Sequence, residues 1–100
     1  MKTVKLKCIT IIAEDTLQSS LTNELSVLGV KGYTIEKATG KGEAMERMSE
    51  WEGENIRLEV LVGEAMAEKI VEKLSQDYFN RYSLIAYLTD AEVIRGEKFL

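Results

Sequence analysis

The sequence contains no histidine and no proline, and only one cysteine and one tryptophan among its 100 residues. Without histidine the commonest acid–base group and zinc ligand is missing, which removes most hydrolytic and zinc chemistry. The lone Cys8 cannot form an internal disulfide and fits a reducing cytoplasm. With nothing nearby to activate a thiol, it reads as a small core residue. Without proline, the turns depend on Gly, Asn and Asp. Positive charge is not in excess either: 13 Lys and Arg stand against 17 Asp and Glu, a net charge of −4. The basic footprint of a non-specific nucleic-acid binder is therefore absent. No run approaches the roughly 18–20 apolar residues of a membrane span. The opening MKTVKLKCITIIAED turns acidic straight after its apolar patch and lacks a small-residue cleavage site, so it reads as a first strand and not a signal peptide.

What is present is 45% hydrophobic and 30% charged residues, ordinary composition for a single domain over residues 1–100. The core of such a domain is modest, and oligomerisation would supplement it.

Residues 2–13 are rich in β-branched types. Val4, Leu6 and Cys8 alternate with Lys5 and Lys7, the period-2 mark of a half-buried strand whose lysines form a solvated face. From Ile9 the run becomes continuously apolar, as in a strand covered on both sides. Asp15 with Gln18 predicts an N-cap and capping box. Leu17, Leu21, Leu25 and Leu28 then fall on one helical stripe, stopped by Gly29 in the left-handed region. This predicts a helix over about 16–28. A second strand is expected over about 31–38. The clean alternation of Ile56, Leu58, Val60 and Val62 marks a third. Met66, Ile70, Leu74 and Tyr78 make the stripe of a helix over about 64–79. A fourth strand is expected over about 82–94, with a short mixed tail after it. The order is βαβ, long loop, βαβ, the split-βαβ plan. It predicts an α+β, ferredoxin-like βαββαβ sandwich with a four-stranded antiparallel sheet and two helices on one face. Two helices cover only one side of such a sheet, so the apolar opposite face is expected to meet copies of itself.

The most distinctive stretch is Gly29–Arg47, GVKGYTIEKATGKGEAMER. A strand runs into Gly40-Lys41-Gly42 and then into a charged loop over about 39–54. Glycine lets backbone N–H groups approach a ligand, lysine between two glycines supplies a point charge suited to phosphate, and Arg47 offers a bidentate fork. The simpler alternative is a turn before a solvated loop, with Met45, Met48 and Trp51 folded back on the core. Against it, a loop this long in so compact a chain favours a partner-recognition arm centred on Met48 and Trp51. Five loop glutamates match no calcium-loop spacing, and no nucleophile or cluster of Cys and His accompanies them. Tyr33, Tyr82 and Tyr87 lack the motif and the charge of an RNA-stacking sheet. What remains is a non-enzymatic binding module with no cofactor, taking a small anion at the Gly-Lys-Gly turn.

GYTI, TGKG, ENIRLEVL, YFNRY and AEVIRGEKF resemble the PII-like signalling proteins, and most the branch associated with bicarbonate transporters and carboxysomes. The resemblance runs from about Leu6 to Phe99. It implies a homotrimer with sheets facing each other around the three-fold axis and adenine nucleotides in the clefts between subunits. It also implies that the loop after the second strand, the T-loop, changes order with ligand and engages a partner. By that resemblance Thr34 and Leu61 lie beside adenine. Gly40, Lys41 and Gly42 wrap the nucleotide, and Arg47 and Arg95 reach phosphate. The ligand expected is AMP, cyclic AMP, ADP or ATP, with bicarbonate as a second candidate. The partner expected is a membrane transporter at the cytoplasmic face of the inner membrane, such as a bicarbonate transporter. Several features depart from the pattern. The loop holds no tyrosine, so uridylylation is not expected. The polyphosphate-binding turn is reduced to Asn80-Arg81-Tyr82, which favours AMP, cyclic AMP or ADP over ATP–magnesium. A second loop arginine is Ala44, and a glycine near adenine is Leu84. The C-terminal extension bearing cysteines is missing. The alternatives are a divalent-cation-tolerance type or purely structural trimer without nucleotide, against which the absence of histidine counts, and an acylphosphatase-type enzyme on the same fold.

Overall fold

The computed structural model describes residues 2–40 and 54–100. Strand β1 (Thr3–Glu14) is followed by helix α1 (Gln18–Leu28) and strand β2 (Thr34–Ala38). The second half repeats the plan with β3 (Asn55–Val62), α2 (Glu64–Asp77) and β4 (Ile85–Ile94). The sheet order is β2-β3-β1-β4 and every neighbouring pair is antiparallel. This is the ferredoxin-like arrangement that the βαββαβ order predicts.

The core lies between one sheet face and the helices. Ile9, Ile11 and Ala13 of β1 alternate inward and meet Leu58, Val60 and Val62 of β3. Leu17, Leu21 and Leu25 come from the α1 side, and Ala67, Ile70, Leu74 and Tyr78 from the α2 side. The leucine stripe of α1 and the Ile70–Leu74–Tyr78 stripe of α2 are thus buried as their spacing requires. The helices are also tied by a polar contact: the Tyr78 hydroxyl lies 2.5 Å from Ser20 Oγ.

The element ends differ from the sequence reading in four places, each for a local reason. No side-chain cap forms at Asp15. The chain enters α1 through a 3-10 turn, Asp15–Leu17. There the Thr16 hydroxyl donates to the Glu14 carboxylate, and the Asp15 N–H goes to the Glu54 carbonyl 2.7 Å away. At the other end of α1, Gly29 takes φ 96° and its N–H reaches Leu25 and Ser26, the left-handed stop its sequence position predicts. β2 begins only at Thr34, where pairing with Glu59 starts. α2 ends at Asp77 and β4 begins at Ile85. The Tyr82 N–H is drawn back to the Tyr78 carbonyl and the two rings pack at 5.9 Å, which holds residues 82–84 off the ladder.

The register also corrects two surface assignments. Lys5 and Lys7 share the helix-bearing side with Ile9 and Ile11; Lys5 is exposed as expected, whereas Lys7 is half-buried beside the first turns of α2. Lys7 lies directly opposite Asp90 and binds its carboxylate at 2.5 Å. The open sheet face, expected to be apolar, is divided. Toward β4 it carries Ile12, Ile85 and Tyr87. Toward β2, Arg57 joins Glu36 at 3.0 Å and Glu59 at 3.1 Å.

Candidate functional site

Ladder register fixes where each candidate residue stands. Thr34 pairs with Glu59, and Leu61 is two residues further along β3. Both side chains project from the open face, so they are diagonal neighbours about 7–8 Å apart. Thr34 is exposed and Leu61 half-buried, which leaves a polar group beside an apolar one, a pairing suited to the edge and face of a flat heterocycle. Gly40 is at the opposite end. Ala38 pairs with Asn55, four residues and about 13 Å along β2 from Thr34, and Gly40 lies beyond it. Arg95 follows β4 directly and adopts φ 60°, ψ 31°. Its neighbour Ile94 pairs with Thr3, whereas Leu61 pairs with Cys8. Five residues of β1, about 17 Å, separate the two levels. Lys41, Gly42, Arg47, Met48 and Trp51 lie outside the described residues.

The structure therefore brings Thr34 and Leu61 together and places Gly40 and Arg95 apart from them at opposite ends of the sheet. Within one copy the described candidate residues thus fall into separate groups along the sheet.

Between the ends sits a polar group that the sequence reading did not single out. Arg57 is flanked by Glu36 and Glu59, with Tyr87 close by on the same face. Its interactions with Glu59 first, then with Tyr87 and Glu36, push Arg57 further above its ordinary pKa, so it stays charged throughout the accessible range. The signal was faint: these residues read only as outward-facing positions of separate strands. Asn55, at the Gly40 end, is 7% exposed and its Oδ1 has no hydrogen-bond partner among the described residues.

A recess of about 480 Å³ lies on the other side of the sheet, bordered by Lys5, Lys7, Glu64, Asp90 and Glu92. Two cations against three carboxylates do not favour an anion there. Its organising contact is Lys7–Asp90. The hydrogen bond and charge of Lys7 lower the Asp90 pKa, and the same contact raises that of Lys7. The pair's contribution to stability is thus present above the ordinary aspartate pKa and lost as pH falls through the lowered folded value. It is also present below the ordinary lysine pKa and lost as pH rises through the raised one. Asp90→Asn is expected to flatten the acid side of the profile: its unfolding temperature should approach that of the unaltered chain as pH drops below 3.8, the ordinary aspartate value. Thermal unfolding across the acid range checks this, and a constant offset at every pH would contradict it. Among the described residues no group of three or more Cys, Asp and Glu side chains is placed to hold a metal ion, and no helix is long and apolar enough to cross a membrane.

Comparison with known proteins gives this arrangement its context. The chain matches the family of the nitrogen regulatory protein P-II over residues 6–98. A protein of Thermus thermophilus described as PII-like and signalling is 45% identical, with a TM-score of 0.86 over 100% of both chains. CPII from Thiomonas intermedia, solved with ADP, AMP and acetate, is 29% identical, with a TM-score of 0.84 over 99% of this chain and 98% of that one. CPII solved with ADP, AMP and bicarbonate is 30% identical, with a TM-score of 0.78 over 94% of this chain and 98% of that one. The match over nearly the full length, the shared βαββαβ fold and this degree of identity make the chain a PII-like signalling protein, a member of the P-II family.

Proposed function

We propose that this protein is a homotrimeric, non-enzymatic sensor of adenine nucleotides that acts on a membrane transporter through residues 39–54. The observation that carries the reading is the division of the candidate site. Thr34 and Leu61 stand midway along the open face, and Gly40 leads away from one end of it. A nucleotide bridging two copies would take its base at Thr34 and Leu61 of one. Its phosphates would go to Gly40, Lys41, Gly42 and Arg47 of the next. Arg95 supplies a further cation for phosphate. CPII binds ADP, AMP and bicarbonate, which supports an adenylate here and bicarbonate beside it. Met48 and Trp51 are the residues we assign to partner contact, at the cytoplasmic side of the inner membrane.

The mechanism is ligand-coupled ordering. A bidentate contact from Arg47 to phosphate is worth roughly 1.5–3 kcal/mol. If one loop conformation alone can make it, its population rises by an order of magnitude or more. Calorimetric titration with AMP, ADP, ATP and cyclic AMP is expected to show micromolar-range binding of at least one nucleotide and a loss of about tenfold or more in Arg47→Ala. Equal affinity in the two proteins would remove Arg47 from the site. Absence of binding by any nucleotide would sink the adenylate reading.

A further inference from the structure

The last residues form a strap across one end of the open face. Gly96–Phe99 make a 3-10 turn after the left-handed Arg95. Gly96 is buried, and a Cβ there would lie 2.9 Å from Val4 Cβ and 3.2 Å from Val93 Cβ. The register places both valines on the open face, so the strap lies directly on the side chains of that face with no room beneath it. It then crosses toward β3. Leu100 reaches the start of α2, where Gly63, given a Cβ, would meet the leucine side chain at 3.3 Å. Lys31 Nζ donates to the Leu100 carbonyl.

These contacts join places that are otherwise far apart. The strap starts at Arg95, which the ladder holds about 17 Å along the sheet from Leu61. It ends beside Gly63, two residues after Leu61, and is held by Lys31, three residues before Thr34. A ligand that takes its base at Thr34 and Leu61 and a phosphate at Arg95 would lie along this strap. The ladder sets the distance between the two contacts, and the strap's seat holds the left-handed turn from which the Arg95 side chain departs.

We propose that Lys31 is a positioning residue for the phosphate contact of Arg95, acting through the strap. This rests on the adenylate reading above and adds to it the element that reads the phosphate. Lys31 is exposed, so its replacement should leave the fold intact. A misplaced Arg95 affects only ligands that carry a phosphate, because orientation of the donor is what a charged hydrogen bond requires.

The experiment is calorimetric titration of ADP and adenosine against the unaltered protein, Lys31→Met, Lys31→Arg, Arg95→Ala and the double variant. Lys31→Met is expected to weaken ADP about five- to tenfold, the loss of one well-placed charged contact, and to leave adenosine unchanged. Lys31→Arg should restore ADP binding. In the Arg95→Ala background, Lys31→Met should have no further effect, the signature of two residues acting as a unit. Leu100→Ala, which removes the packing on Gly63, should resemble Lys31→Met. Unchanged ADP affinity in Lys31→Met, or an equal loss for ADP and adenosine, would overturn the proposal while leaving adenylate binding in place. Failure of the unaltered protein to bind ADP would overturn the adenylate reading, and this proposal with it.

Discussion

Ile85→Glu is expected to dissociate the proposed trimer and abolish adenylate binding in one step, while the chain stays folded. In the single chain Ile85 is 48% exposed and stands at the start of β4, opposite Ile12. A carboxylate there would reach water, so the separate subunit bears little cost. In the proposed assembly the open faces would meet, and a carboxylate from each subunit would be stripped of solvent without a cation. Arg57 is in the same cross-sheet row but already serves Glu36 and Glu59. The effective penalty for an unpaired buried charge is several kcal/mol per ion, enough to shift a micromolar assembly to monomers. Sedimentation velocity should show the smaller species, and ADP titration should show no heat above dilution. A variant that stays trimeric would show that the open face is not the interface. A monomer that still binds ADP would show that the site is complete within one chain.

The division of that face explains how much of the protein could be seen in its sequence. Among the described residues, periodicity located the four strands and the two α-helices, because Ile56, Leu58, Val60 and Val62, or Leu17, Leu21 and Leu25, must share a face in any fold that buries them. Gly29 marked its helix end because a left-handed residue was needed there. Pairing was not legible in the same way. Lys5 and Lys7 were correctly separated from their apolar neighbours but assigned to a solvated face. Only the register with β4 shows Lys7 opposite Asp90, on the side the helices occupy further along. The Glu36–Arg57–Glu59 group was invisible for the same reason: Glu36 and Arg57 belong to strands far apart in the sequence. Asp15 carries the right side chain for a cap, yet the Asp15 backbone is committed to Glu54. Gly40, Lys41, Gly42 and Arg47 were named as candidates from their residue types, and Thr34, Leu61 and Arg95 from resemblance. That Thr34 and Leu61 adjoin, while Gly40 and Arg95 stand at opposite ends, comes from the ladder. The strap was read as a short mixed tail, since nothing in RGEKFL announces that Gly96 has no space for a side chain.

Leu58→Ala is expected to cost a large share of the stability, about 3 kcal/mol within the 2–5 kcal/mol span of such truncations. Leu58 is 0% exposed and lies at the middle of β3, paired with Ile11 on one side and Ile35 on the other. Its side chain points to the helix-bearing face, so truncation removes apolar contacts and opens a void between sheet and helices. How far the void closes decides the cost. The β1 side is held by the ladders to β3 and β4 and cannot move in. The β2 side is a five-residue edge strand, and Ile35 is only half-buried, so partial collapse is available from there. This puts the estimate near the middle of the span. For a domain of this size, about 3 kcal/mol corresponds to a fall of roughly 12–24 °C in the unfolding midpoint, read by calorimetry at one fixed subunit concentration because assembly adds to apparent stability. Ile35→Ala, at the half-buried edge, should cost clearly less. Equal losses at the two positions would mean that the edge strand is packed as tightly as the centre. The route of collapse argued for Leu58 would then be closed, and its cost should move toward the upper end of the span.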